Sequence, residues 1–292
     1  MKNLILLLSI SGIAMSACNT ATNAKNAASD SATGYELVEI WKTDTLFKTP
    51  ESVLYDEVRD VLYVANVNGN PSEKDMNGFI SRLTVSGEVT ELEWISGMSG
   101  PKGMGVFGNL LYVADITDLV IINLDQANVI QTIPVEGSVF LNDITIDATG
   151  KVFVTDSRTG KIHIYKDGAV SEWISGLTNP NGLYAEESRI LLATSSFNSV
   201  DLVTGQVTML TDSIGHGDGI EFTGMEGYYL VSDWTGEIFL TYPDNSKISV
   251  LLTRDQKKNT ADIGFIKESK TLLVPTFFDN RVVAYNLVSK SE

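Results

Sequence analysis

The chain has 292 residues, 43% of them hydrophobic and 20% charged, with one cysteine, two histidines and a formal net charge of −16. Apolar and aromatic residues run throughout, so wholesale disorder is excluded, and the length suits one large core or two smaller ones. An acidic chain with no basic stripe is no nucleic-acid binder, and one cysteine excludes an internal disulfide framework, a Cys-based zinc cluster and a CxxC redox site.

Residues 1–17 predict an export signal: Lys2, an apolar run from Leu4 to Met15, then Ser16-Ala17 ahead of Cys18. The run is too short to span a bilayer comfortably. A cysteine directly after small residues resembles a bacterial lipobox, with Met15 where Leu is usual. That resemblance implies a lipid on Cys18 and a cell-envelope lipoprotein, on the periplasmic or outer-membrane side, touching membrane only through this anchor. Residues 18–34 hold the lipidated cysteine and a small, polar tether without apolar period.

From residue 35 to 292 an internal repeat decides the fold. Six short apolar strands end in a small or polar residue: LYVAN (62–66), LYVAD (111–115), VFVTD (152–156), LLATS (191–195), YLVSD (229–233) and LLVPT (272–276). They recur at intervals of 38 to 49 residues, a propeller period. Third strands recur too, as in FISRLTV (79–85) and EIFLTY (237–242), and fourth strands as in EVTELEWI (88–95). The last unit has no fourth strand, and YELVEIW (35–41) has the alternation to supply it. The expectation is an all-β, six-bladed β-propeller, one monomeric domain, whose N-terminal strand completes the last blade and leaves no open edge.

Aligning the starts of the innermost strands gives TPES (49–52), GPKG (100–103), FLND (140–143), NPNG (179–182), HGDG (216–219) and TADI (260–263). The third column reads Glu51, Lys102, Asn142, Asn181, Asp218 and Asp262, predicted to converge at the mouth of the central channel. Hard oxygen donors in a ring suit Ca2+ or another divalent cation better than a soft metal. The same residues also fit wet, solvated turns.

The column resembles the calcium site of the senescence-marker-protein/gluconolactonase (regucalcin-like) family, carried by Glu51 in PESVLYD, Asn142 in LNDITID, Asn181 in NPNGLYA and the Asp218-Gly219 pair. Val53, Tyr55 and Ile144 depart from the family's usual residues beside those ligands. The resemblance implies a calcium-dependent hydrolase opening a lactone or related ester, metal ligands Glu51, Asn142, Asn181 and Asp218, and Asp218 as general base with Asp262 second. Lys102 either steadies an oxyanion or product carboxylate or replaces the metal. The alternative is a non-catalytic, envelope-anchored propeller serving as a binding scaffold.

Of the remaining candidates, His216 fits a proton shuttle or an exposed turn. His163, Trp94 and Trp173 fit packing, and Asp115, Asp156 and Asp233 fit turn caps. The extra residues 68–78 of the first unit fit a lid over the channel or a plain surface insertion.

Overall fold

Apolar runs of five or six residues bounded by turn signals are expected where a strand is covered on both faces, and the recurring strands behave this way. In the computed structural model, which describes residues 34–290, Leu110–Asp115, Val152–Asp156 and Tyr229–Asp233 are buried almost end to end. The predicted signal and Cys18 lie outside the described residues, within which no helix is long and apolar enough to cross a membrane.

Strand order confirms the six-bladed ring, six antiparallel sheets of four strands. The first blade is β2 (Pro50–Asp56), β3 (Val61–Asn66), β4 (Gly78–Thr84) and β5 (Val89–Met98), preceded by β1 (Tyr35–Lys42). The second holds β6 (Pro101–Phe107), β7 (Leu110–Asp115), β8 (Asp118–Asn123) and β9 (Asn128–Pro134). The third holds β10 (Leu141–Ile146), β11 (Val152–Asp156), β12 (Lys161–Lys166) and β13 (Ala169–Ile174). The fourth holds β14 (Leu183–Ala185), β15 (Arg189–Ala193), β16 (Phe197–Asp201) and β17 (Val207–Thr211). The fifth holds β18 (Gly217–Phe222), β19 (Tyr229–Asp233), β20 (Glu237–Thr241) and β21 (Lys247–Leu252). The sixth runs β22 (Gly264–Ile266), β23 (Thr271–Pro275) and β24 (Val282–Ser289), and β1 joins it as the outermost strand, Tyr35 opposite Ser289.

Each blade buries its faces against its neighbours. One core packs Tyr63 and Ile80 of the first blade on Met104 and Val113 of the second. Another packs Phe153 on Leu183 and Leu192 across the third and fourth. Val53 and Val64 meet Leu273 and Val282, closing the sixth blade on the first. Trp94 stacks on Tyr63 of its own blade with centroids 5.1 Å apart, Trp173 meets Phe153 of its own blade edge-on at the same distance, and both indoles border the core shared with the next blade. His163 is buried in β12, where burial lowers its pKa.

Candidate channel-mouth site

The inner strands share an irregularity that makes the site. Pairing slips between Pro50 and Ser52 in β2, Pro101 and Met104 in β6, Leu141 and Ile144 in β10, and Gly217 and Ile220 in β18. A bulge at the start of a strand re-aims its side chains, and the first residue released in each case is Glu51, Lys102, Asn142 or Asp218. The fourth blade delivers Asn181 just before β14, its N–H donating to the Ala193 carbonyl at 3.0 Å. These five side chains line one cavity of about 260 Å³, with Pro71, Phe140, His216, Trp234 and Phe277.

Asp262 does not join them. Leu273 pairs with Gly264 in the sixth blade as Tyr63 pairs with Leu54 in the first, which aligns Ala261 with Glu51 and Asp262 with Ser52. Ser52 Oγ donates to Asp262 Oδ2 at 2.6 Å. Asp262 lines a second, deeper chamber of about 170 Å³ with Ser52, Asp143 and Glu221. The column expected from residue type is therefore one residue out of register in the last blade, and the sixth position at the mouth is an alanine.

Three oxygens at the mouth are buried and lack any hydrogen-bond partner: Glu51 Oε2, Asn181 Oδ1 and Asp218 Oδ1. Asn142 is positioned differently, its Nδ2 donating to Ser157 Oγ at 3.0 Å, whose hydroxyl donates on to the Pro180 carbonyl at 2.7 Å. Orphaned acceptors facing one cavity are costly unless a cation or donor meets them, and a hard cation fits that oxygen set. The charge is modest for a metal centre: among the described residues no three His, Cys, Asp or Glu side chains stand together as metal ligands. The mouth instead offers two carboxylates and two carboxamides.

The electrostatics show acids crowded together. Burial, then the Asp262 carboxylate, pushes Glu51 up to about 8, against the pull of Lys102. Burial and the charges of Glu51, Asp262 and Asp143 hold Asp218 well above the usual carboxylate range, while the Asn181 carboxamide pulls it down. In the deeper chamber burial raises Asp262 to about 7, and burial with the charge of Asp262 raises Glu221 to about 8. Asp143 is likewise raised by burial and Asp262, despite accepting from the N–H groups of Leu183 and Ile144.

Lys102 is the one cation within this group, and it is 1% exposed. Its Nζ donates to the Gly100 carbonyl at 2.8 Å and lies 4.4 Å from the centre of the Phe140 ring. Among the described residues no carboxylate approaches it within 4.0 Å. Burial lowers it to about 8, more than Glu51 and Asp115 raise it. The Phe140 ring also carries the Arg158 guanidinium, 4.5 Å from its centre.

The three aspartates expected to cap turns hold the mouth as well. Asp115 accepts from the N–H groups of Ser99 and Gly100, Asp156 from those of Val139 and Phe140, and Asp233 from that of His216. Each donor pair or donor lies just ahead of Lys102, Asn142 or Asp218. Asp156 and Asp233 also cap the turns that follow them, through Thr159 and Thr235. The signal for this role was present in the sequence as the recurring terminal aspartate of the repeat. His216 lines the cavity with its ring 79% exposed. Residues 68–78 reach the mouth through Pro71 and are tied to the third blade by Arg158 donating to Ser72 Oγ at 2.8 Å and to the second by Lys74 pairing with Asp118 at 3.0 Å.

The sequence matches no known family profile and no curated protein. The fold, by contrast, is similar to solved propellers. One is a catalytically inactive variant of virginiamycin B lyase from Staphylococcus aureus, solved with quinupristin, with TM-score 0.62 and 13% identity. That alignment covers 87% of this chain and 100% of the lyase. A streptogramin B lyase structure gives TM-score 0.62 and 14% identity, covering 87% of this chain and 98% of its own. At such identity the similarity is one of fold.

Proposed function

We propose that the protein is a divalent-cation-dependent hydrolase of the regucalcin-like, gluconolactonase type, opening a lactone or related ester at the channel mouth. The observation that carries this reading is the set of orphaned buried oxygens, Glu51 Oε2, Asn181 Oδ1 and Asp218 Oδ1, facing one cavity. Glu51, Asn142, Asn181 and Asp218 would hold the ion, calcium being the best match to an all-oxygen donor set. A bound calcium supplies Lewis-acid polarisation of the ester carbonyl.

The chain's own residues supply the rest. Asp218 sits among acids that raise its proton affinity, which suits it to take a proton from the attacking water. The hydroxyl of that water bonds to the acyl carbon, the carbon–oxygen bond of the ring breaks, and Asp218 returns the proton to the departing oxygen. Lys102 Nζ, with one of its three donors given to Gly100, has donors left for the developing oxyanion or the product carboxylate. Asp262 supports this from the deeper chamber through its charge on Glu51 and Asp218, not as a second base at the mouth. We place the protein on the cell envelope, anchored through a lipidated Cys18.

Calorimetric titration of calcium into chelator-treated protein tests the reading, with Asp218→Ala beside it. Binding in about the micromolar range, lost in the variant and accompanied by lactone turnover, is the expected result. A folded parent that takes up no divalent cation and opens no lactone would sink the hydrolase and leave Lys102 as the resident cation of a binding propeller.

A further inference from the structure

The wall of the mouth is made of carbon. Pro71, Phe140, Trp234 and Phe277, from four different blades, enclose the cavity around its polar set, with His216 and the Arg158–Ser72 pair on the exposed rim. Trp234 meets Phe277 edge-on with centroids 5.5 Å apart, and Phe277 meets Phe278 at 4.8 Å. Phe278 is 64% exposed, so the aromatic surface continues outward from the cavity. Phe277 has φ +48°, a left-handed conformation that bulky residues rarely adopt. The turn holds it there through Arg281 N–H to Thr276 Oγ1 at 3.0 Å, and its ring packs with Val67 and Ala261. The sixth blade therefore contributes no ligand to the mouth but an aromatic wall: alanine where the other five have a polar side chain, and a strained phenylalanine beside it.

From this we infer that the mouth takes a lactone or ester bearing an aryl or branched-alkyl substituent, seated on Trp234 and Phe277, rather than a polyhydroxylated sugar lactone. The polar atoms are gathered where the inner strands start, suited to one carbonyl or carboxylate. A polyol ring would lose water from hydroxyls that the wall does not rebond. The cavity, at about 260 Å³, holds one small ring with its substituent and not an oligosaccharide or peptide. The kind of bond broken rests on the hydrolase reading, whereas the selectivity of the wall does not.

Non-hydrolysable lactams separate the two questions. Calorimetry on the full, calcium-loaded chain would compare a phenyl-substituted δ-lactam with the polyhydroxylated gluconolactam, alongside turnover of the matching lactones. Binding at least ~100-fold tighter for the phenyl compound, falling by roughly tenfold in Trp234→Ala and restored in Trp234→Phe, is the expected result. Phenyl-lactam binding without turnover of any lactone would sink the hydrolase but support the wall. Equal or tighter binding of gluconolactam, or no binding of either lactam by protein that binds calcium, would overturn the inference. A variant that loses its parent melting temperature is set aside, and the comparison between ligands in the parent decides.

Discussion

Gly182 approaches Asp218 so closely that a Cβ on the glycine would overlap the Asp218 main-chain carbonyl oxygen. The glycine follows Asn181 directly, so one contact fixes the spacing between two of the orphaned oxygens. Gly103 stands in the same relation to the third blade, where a Cβ would meet the main chain of Asp143 and the Asn142 carbonyl. Gly182→Ala is expected to push the fourth and fifth blades apart, costing about 1–3 kcal/mol of stability and weakening calcium binding by at least ~10-fold. Chemical denaturation and calorimetry on the same preparation check both.

Loss of protons, rather than loss of contacts, should govern how the cation-free protein responds to pH. Glu51 and Glu221 ordinarily titrate at 4.5 and Asp262 at 3.8, but in the fold they hold their protons to about 8, about 8 and about 7. Between those limits the folded chain binds more protons than the unfolded one, so stability is full below the ordinary values and drains away as pH rises toward 8. The melting temperature of chelated protein is expected to rise by about 5 °C or more from pH 8 to pH 5.5. Added calcium should reverse the trend, stabilising most at pH 8. Scanning calorimetry at matched ionic strength reads both slopes.

Asp156→Ala removes the acceptor for Val139, Phe140, Arg158 and Thr159 N–H groups at one stroke. A loss of about 2–4 kcal/mol is expected, larger than for an exposed carboxylate. The wild-type bonds hold the Asp156 carboxyl below its ordinary 3.8 despite burial. Its contribution is therefore complete above that value and lost as pH falls through the depressed one, so the gap between variant and parent should narrow only in strong acid. Urea titrations at pH 7 and pH 3 measure it.

Lys102→Met keeps the length of the side chain and its packing on Phe140 while removing the one buried charge that repels a cation. Calcium affinity should tighten by roughly tenfold, about 1.4 kcal/mol, while lactone turnover falls. A weaker calcium affinity would make Lys102 an organiser of the mouth instead. Direct calorimetry beside a turnover assay distinguishes the two.

Cys18→Ser tests the anchor. Labelled fatty acid should be incorporated into the parent and not the variant, and the variant should leave the membrane fraction on cell lysis.

The repeat made the ring legible, because burial on both faces of an inner strand writes itself as a short apolar run and six such runs fall at one period. It also made Glu51, Lys102, Asn142, Asn181 and Asp218 legible, since each lies at a nearly constant distance ahead of the recurring second strand, most of them directly after a Pro or Gly. Asp262 lies off the predicted column because Gly264 opposite Leu273 sets the register of the last blade and moves the aspartate one step inward, a shift that strand starts in the sequence do not show. Asp143 and Glu221 lie off that column: Asp143 is the second residue of its bulge, and Glu221, paired with Leu230, stands further along β18, so a single column reaches neither. Trp234 and Phe277 share one repeat position, directly after the recurring second-strand run, but Val67, Ile116 and Ser157 hold it in other blades, so no recurring residue type marks it. The bonds from Asp115, Asp156 and Asp233 run backward to the preceding connection, which a forward reading of turn caps does not reveal.

The pairing of β1 with β24 carries one more consequence. Gly34 accepts a hydrogen bond from the Lys290 N–H at 2.7 Å, so residues 34 and 290 already touch. A hoop whose ends meet has no privileged seam, and the five channel-mouth residues sit on or just ahead of inner strands that the seam does not include. Joining these two residues by a short peptide and opening the chain at an outer turn, such as Asp125–Gln126, should give a circular permutant with the same mouth. The stitch belongs to the rim of the wheel, and the chemistry to its hub.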